Sequence, residues 1–210
     1  MQTTKTKNKK EKQMPIKDGR EYRNISIENF SAVDDSYIVE GYATTFDVPY
    51  DFMPGYQECI RKSALEGADM SDVIFQFDHN GMVMARLRNN TLSLFIDDHG
   101  LKVSADLKGS QQGRELYEAI KNGLVDRMSW AFRVAEDGWE FDKENRISYI
   151  TKVEKVYDVS AVSIPANDDT EINARSYLDG VIEEMEREEF ALGSDDMKVR
   201  QESAIRLLLA

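Results

Sequence analysis

The sequence predicts a mostly β domain with antiparallel pairing, one internal helix and a helical tail. Three observations carry that expectation. Over residues 21–175 short segments alternate apolar and polar side chains at a period of two, as strands half-buried against a core do. The junctions between them are rich in Asn, Asp and Gly, which tolerate the positive φ of tight turns. Apolar residues recur at helical spacing in only two places, one inside this region and one after it.

Residues 1–20 carry seven Lys or Arg against two acids and almost no large apolar groups, so a disordered basic arm is expected. Tyr22 opens a strand-like pattern, and Ile25, Ile27 and Phe30 lead into Tyr37–Phe46, where Tyr37, Val39, Gly41 and Ala43 alternate with Ile38, Glu40 and Tyr42. A loop with Pro49, Pro54 and Gly55 follows, then a stretch of mixed signals through Ile60 and Leu65. Ser71–His79, Val83–Arg88, Thr91–Asp97 and Leu101–Leu107 read as consecutive hairpins, with Asn89-Asn90 and Asp97-Asp98-His99-Gly100 at their junctions. Ser110 can cap a helix striped by Leu116, Tyr117 and Ile120 and closed by Gly123. Strands resume at Arg127–Ala135 and Arg146–Pro165. Beyond Arg175 the chain turns Glu-rich, and Leu178, Val181, Ile182 and Met185 predict an acidic amphipathic helical tail over residues 176–210.

Composition narrows the function. Of 210 residues, 41% are hydrophobic and 10% aromatic, enough for one sizeable core. The balance of 39 acids against 27 bases gives a net charge of −12, which repels nucleic acid. No apolar run approaches the roughly 20 residues of a membrane span, and no apolar segment follows the basic N-terminus as in a secretory signal. Neither nucleic acid nor membrane is therefore an expected partner. The single cysteine, Cys59, cannot form an intramolecular disulfide and suits a reducing cytoplasm as a small half-buried residue.

There are only two histidines. Alternation places His79 at the end of an apolar strand face with Val73, Phe75 and Phe77, where a structural core histidine is the commoner occupant. His99 lies in a polar turn and reads as solvated. In Met128-Ser129-Trp130-Ala131-Phe132 the large residues, with Val134, point one way and Ser129 the other, beside small Ala131. A strand with a packed back is a rigid mount for a nucleophile, although most such serines are simply exposed. Asp158 sits in the apolar strand Val156–Val162, where a carboxylate is costly unless paired or solvated. Zinc would need three or four ligands at suitable spacing, and Gly109-Ser110-Gln111-Gln112-Gly113 lacks the spacing and lysine of a phosphate loop. No metal or other cofactor is expected. Cys59 with His79 could form a dyad, but nothing local supports Cys59.

Seven segments, in order, resemble the prohead maturation proteases of tailed bacteriophages: Glu40-Gly41-Tyr42-Ala43 with Phe46; Phe77-Asp78-His79-Asn80; Asp98-His99-Gly100-Leu101; Ile120-Lys121-Asn122-Gly123; Met128-Ser129-Trp130-Ala131-Phe132; Asp158-Val159-Ser160-Ala161-Val162; and Ile164-Pro165-Ala166-Asn167. The resemblance spans about residues 37–175. It implies an antiparallel β-barrel of the herpesvirus-assemblin type with flanking helices, a serine protease domain at 21–175, and a nucleophile at Ser129 with its base at His79. The acid before the Val-Ser of the last strand, Asp158, is the implied third member, with Glu154 and Asp78 next in line. Family members often carry Asn-His-Asp where this chain has Asp78-His79-Asn80, and Glu where it has Asp158. The turn at Ala166 and Asn167 is the expected source of oxyanion donors.

The implied function is cleavage of scaffold, of the scaffolding segment of the major capsid protein and of the protease itself, by acyl-enzyme chemistry. The implied place is the assembling procapsid in the bacterial host cytoplasm, with the protease absent or degraded in the mature virion, and a homo-oligomer is compatible with it. His79 must be neutral to accept a proton, so activity is expected to fall on acidification. The alternatives are a catalytically silent scaffold or capsid-assembly module on the same fold, or a metal-dependent hydrolase.

Overall fold

The computed structural model describes residues 20–25, 30–33 and 36–163, together with positions 180, 185 and 187. Thirteen strands and one complete α-helix lie among them, with short 3-10 turns at Lys62–Leu65 and Leu87–Asn89: β1 (Glu21–Ile25), β2 (Ser31–Val33), β3 (Ile38–Thr45), β4 (Tyr50–Met53), β5 (Tyr56–Ile60), β6 (Ile74–Phe77), β7 (Asn80–Arg86), β8 (Leu92–Ile96), β9 (Gly100–Asp106), α1 (Gln111–Lys121), β10 (Arg127–Val134), β11 (Trp139–Asp142), β12 (Ile147–Ile150) and β13 (Val153–Val162).

They form three open sheets, ordered β1-β10-β13-β6-β7, β2-β3-β9-β8 and β11-β12-β5-β4. The mostly β expectation therefore holds, but the closed barrel does not form among the described residues, since each sheet ends in two strands with a single partner. Pairing is antiparallel with two exceptions, β13 with β6 and β12 with β5. One continuous core joins the sheets, drawing Val39 and Ala43 from β3, Phe75 from β6, Val103 and Ala105 from β9, and Trp130 and Phe132 from β10.

Local sequence accounts for α1 completely. The Ser110 hydroxyl accepts the Gly113 N–H at 2.9 Å, Leu116, Tyr117 and Ile120 are buried, and Gly123 takes φ +69 just past the end. Two glycines of the quoted segments are set by crowding. A Cβ on Gly41 would lie 2.9 Å from Met128 Sδ and from the Phe30 ring, and one on Gly100 only 2.0 Å from Thr44 O.

Several elements differ from expectation. The Pro54-Gly55 loop is the tip of a β4–β5 hairpin, with Gly55 at φ +82. Asn89-Asn90 does not join a hairpin, because β7 and β8 belong to different sheets. The single strand expected over Arg146–Pro165 is two, β12 and β13, again in different sheets, and β11 carried no recognised signal. The basic arm and most of the tail lie outside the described residues.

Candidate active site

In the first sheet β10, flanked by β1 and β13, packs Met128, Trp130 and Phe132 into the core on one face, with the two rings stacked 3.9 Å apart. Ser129 and Ala131 face the other side, as alternation requires. Across the ladder they meet Ser160 and Asp158 of β13. Ser129 was expected on an open strand face; it is instead 0% exposed.

Asp158 reaches that face through a bulge. Ala131 pairs with Asp158 but Phe132 pairs with Val156, so Tyr157 is an extra residue on β13. Without it Val156 and Asp158, two apart, would share a face. With it Val156 enters the core while Asp158 joins Ser129. The Arg20 guanidinium stacks 4.2 Å over the bulged Tyr157 ring.

His79 is not on a strand. β6 stops at Phe77, and Phe77 pairs with Asn80, so Asp78 and His79 form a two-residue turn into β7. Both have positive φ, +48 and +54, as the tight hairpin turns matched to strand twist demand. Asp and His are among the few side chains that enter this region readily. The turn swings the imidazole over β13 and β10, where its side chain keeps 14% exposure.

Three residues far apart in sequence thus form one hydrogen-bonded series. His79 Nε2 lies 2.6 Å from Ser129 Oγ and Nδ1 lies 2.5 Å from Asp158 Oδ1. A carboxylate only accepts, so Nδ1 carries the proton and Nε2 presents a lone pair to the serine hydroxyl. The same Asp158 oxygen accepts Ser160 Oγ–H at 2.9 Å, and Asp158 is 3% exposed, so the costly buried carboxylate is paired. Chemically, such a series can withdraw a proton from an alcohol and hold the resulting imidazolium.

The other candidates fall elsewhere. His99 packs edge-on against Tyr42 in the β8–β9 turn, with its N–H bonded to Asp97. Glu154 is exposed beside Arg133, and the Asp78 carboxylate is bonded to Ser163. Cys59 is buried, and burial pushes its thiol up, away from a reactive thiolate. Ala166 and Asn167 lie outside the described residues. Sequence reading missed Ser160, and it missed Tyr22, whose ring packs edge-on against His79 at 4.7 Å. It also missed the bulge, although Val153, Val156, Val159 and Ala161 break the two-residue rhythm and mark it.

A family model for caudovirus prohead serine proteases matches residues 24–187. The chain belongs to that family. All three residues of the hydrogen-bonded series fall inside the matched span, whereas Tyr22 lies just outside it. The chain is also similar to the prohead protease of Escherichia phage T5, 26% identical over 108 residues. That alignment covers 51% of this chain and 47% of the phage T5 protein, so the chain spans about half the length of the curated relative it matches. No solved structure matches.

Proposed function

We propose that this prohead protease family member is an active serine endopeptidase in which Ser129 is the nucleophile, His79 the general base and Asp158 the group that orients His79. The observation that carries the reading is the Ser129–His79–Asp158 series, 2.6 and 2.5 Å long, on a strand packed firmly from behind. His79 Nε2 takes the hydroxyl proton as Oγ attacks a peptide carbonyl, and Asp158 stabilises the imidazolium. His79 then returns the proton to the leaving amine, and water hydrolyses the acyl-enzyme by the same route. Backbone donors for the oxyanion come from the segment after β13, at Ala166 and Asn167, each worth on the order of 3 kcal/mol of barrier.

The substrates are scaffold, the scaffolding segment of the major capsid protein and the protease itself, cleaved inside the assembling procapsid. Residues 21–175 form the catalytic domain, flanked by the arm and the tail. The test is co-expression with the capsid protein, wild type against Ser129→Ala, followed by mass analysis of both chains. Wild type should trim the capsid protein and Ser129→Ala should not. Trimming by the alanine variant rules out Ser129 as nucleophile, and an inert wild type that also resists a serine-reactive fluorophosphonate favours a silent assembly module.

A further inference from the structure

The base in this reading sits in a two-residue turn at the tip of a hairpin, and β7, the hairpin's outer strand, is the edge of its sheet. A turn of that kind is a poor mount for a group that must keep hydrogen-bond distance to two partners, since a 1 Å displacement in an active site can cost about 10²-fold in rate. The ring itself rests on Tyr22, but the backbone that carries it needs its own restraint.

Asp78 supplies one. Its N–H donates to Ala161 O at 2.9 Å, extending the parallel β6–β13 ladder, in which Phe77 pairs with Ala161, one residue into the turn. Its carboxylate then accepts twice from a single residue just past β13: Oδ1 from the Ser163 N–H and Oδ2 from the Ser163 hydroxyl, each at 2.9 Å. Hydrogen bonds to a carboxylate are stronger than neutral ones, and two from one residue fix orientation as well as distance. On the other side of His79 the Asn80 side chain accepts from the N–H of its own neighbour Gly81. The turn is therefore tied to β13, the strand that also carries Asp158 and pairs with the strand of Ser129.

We infer that Asp78 and Ser163 form a latch that positions His79 for catalysis, Asp78 being a positioning residue that touches neither Ser129 nor substrate. The inference rests on the proteolytic reading above. It makes the neighbour of the base, rather than a further member of the series, a determinant of turnover.

Two substitutions separate the latch from the turn. Asp78→Gly keeps a residue at ease at φ +48 but removes both acceptors. Asp78→Asn also tolerates the turn and keeps an oxygen for the Ser163 N–H, while its amide can donate to the Ser163 hydroxyl. With a peptide substrate and with a fluorophosphonate, Asp78→Gly should lose about 10²-fold in kcat and in labelling rate with KM little changed. Asp78→Asn should stay within about tenfold of wild type, and Ser163→Ala, which keeps the backbone bond, should fall between the two. All assays are run well below each variant's unfolding temperature, so a fold defect would be seen separately. Asp78→Gly labelling at the wild-type rate, or Asp78→Asn falling as far as Asp78→Gly, overturns the latch alone. Wild type labelling no faster than Ser129→Ala overturns the proteolytic reading and the latch with it.

Discussion

Glu58→Leu is expected to unfold this domain far more easily than its chemistry alone suggests. Glu58 is 0% exposed on β5, and the Arg23 side chain from β1 is 3% exposed. Arg23 forks onto both Glu58 oxygens at 2.5 and 2.9 Å, while its other terminal nitrogen bonds to Glu21 at 3.1 Å and to Tyr22 O at 2.9 Å. Tyr50 also donates its hydroxyl to Glu58. Burial by itself would lower the Arg23 pKa, but the charge and hydrogen bonds of Glu58 outweigh it and hold the guanidinium above its ordinary value. Burial, then the Glu58 charge, pushes the Tyr50 phenol well up. Removing Glu58 takes away the nearer of two counter-charges and leaves the buried Arg23 with Glu21 alone; breaking a buried pair in this way typically costs roughly 3–5 kcal/mol. At about 2–4 °C per kcal/mol for a domain of this size, Tm should fall by roughly 6–20 °C. Glu58→Gln, which keeps one acceptor, should fall less. Thermal unfolding by circular dichroism gives both shifts. Because Arg23 anchors the strand that brings Tyr22 against His79, fluorophosphonate labelling of Glu58→Leu should slow even below its Tm. A Tm change under about 2 °C for Glu58→Leu would refute the claim that this pair stitches β1 to the sheet of β5.

The remaining expectations concern the site and its hairpin. His79→Ala should cost as much activity as Ser129→Ala, because members of one catalytic unit are not additive, while His99→Ala should be nearly silent; peptide hydrolysis by the three variants decides it, and the reverse order sinks the assignment. Asp158→Asn should fold normally but lose up to about 10⁴-fold in kcat, the size found when a triad aspartate becomes asparagine; a loss below about tenfold means another group orients His79. At the base of the β6–β7 hairpin, Arg86 forks onto Asp72 at 2.6 and 2.5 Å, and Arg88 adds a third bond. The Arg86 hydrogen bonds hold the Asp72 carboxyl down at about 2. A depressed folded pKa stabilises fully above the unfolded value of about 3.9 and is lost as pH falls through about 2. Asp72→Asn should therefore flatten the fall of Tm between about pH 4 and 2, and parallel curves for the two proteins would contradict it.

Much of the molecule was legible in order along the chain. The helix α1 was readable to its caps, because Ser110, the Leu116-Tyr117-Ile120 stripe and Gly123 act within a few residues of one another. The packed back of β10 followed from the period of two alone, and the order of the quoted segments pointed to the family. Position was a different matter. A strand drawn through His79 is the natural reading of Val73, Phe75, Phe77 and His79, yet the chain turns at Asp78, a choice stabilised by Ala161 and Ser163 from eighty-odd residues away. Asp158 faces Ser129 only because an extra residue at Tyr157 shifts the phase of β13, and a bulge exists only relative to a partner strand. The parallel β13–β6 pairing that brings His79 to Asp158 has no local signal either, nor does the Arg23–Glu58 pair between two sheets. Elements form from preferences among near neighbours, which a sequence carries in plain order. The site forms where strands remote in sequence bury one common core, and only the folded chain decides which of them meet.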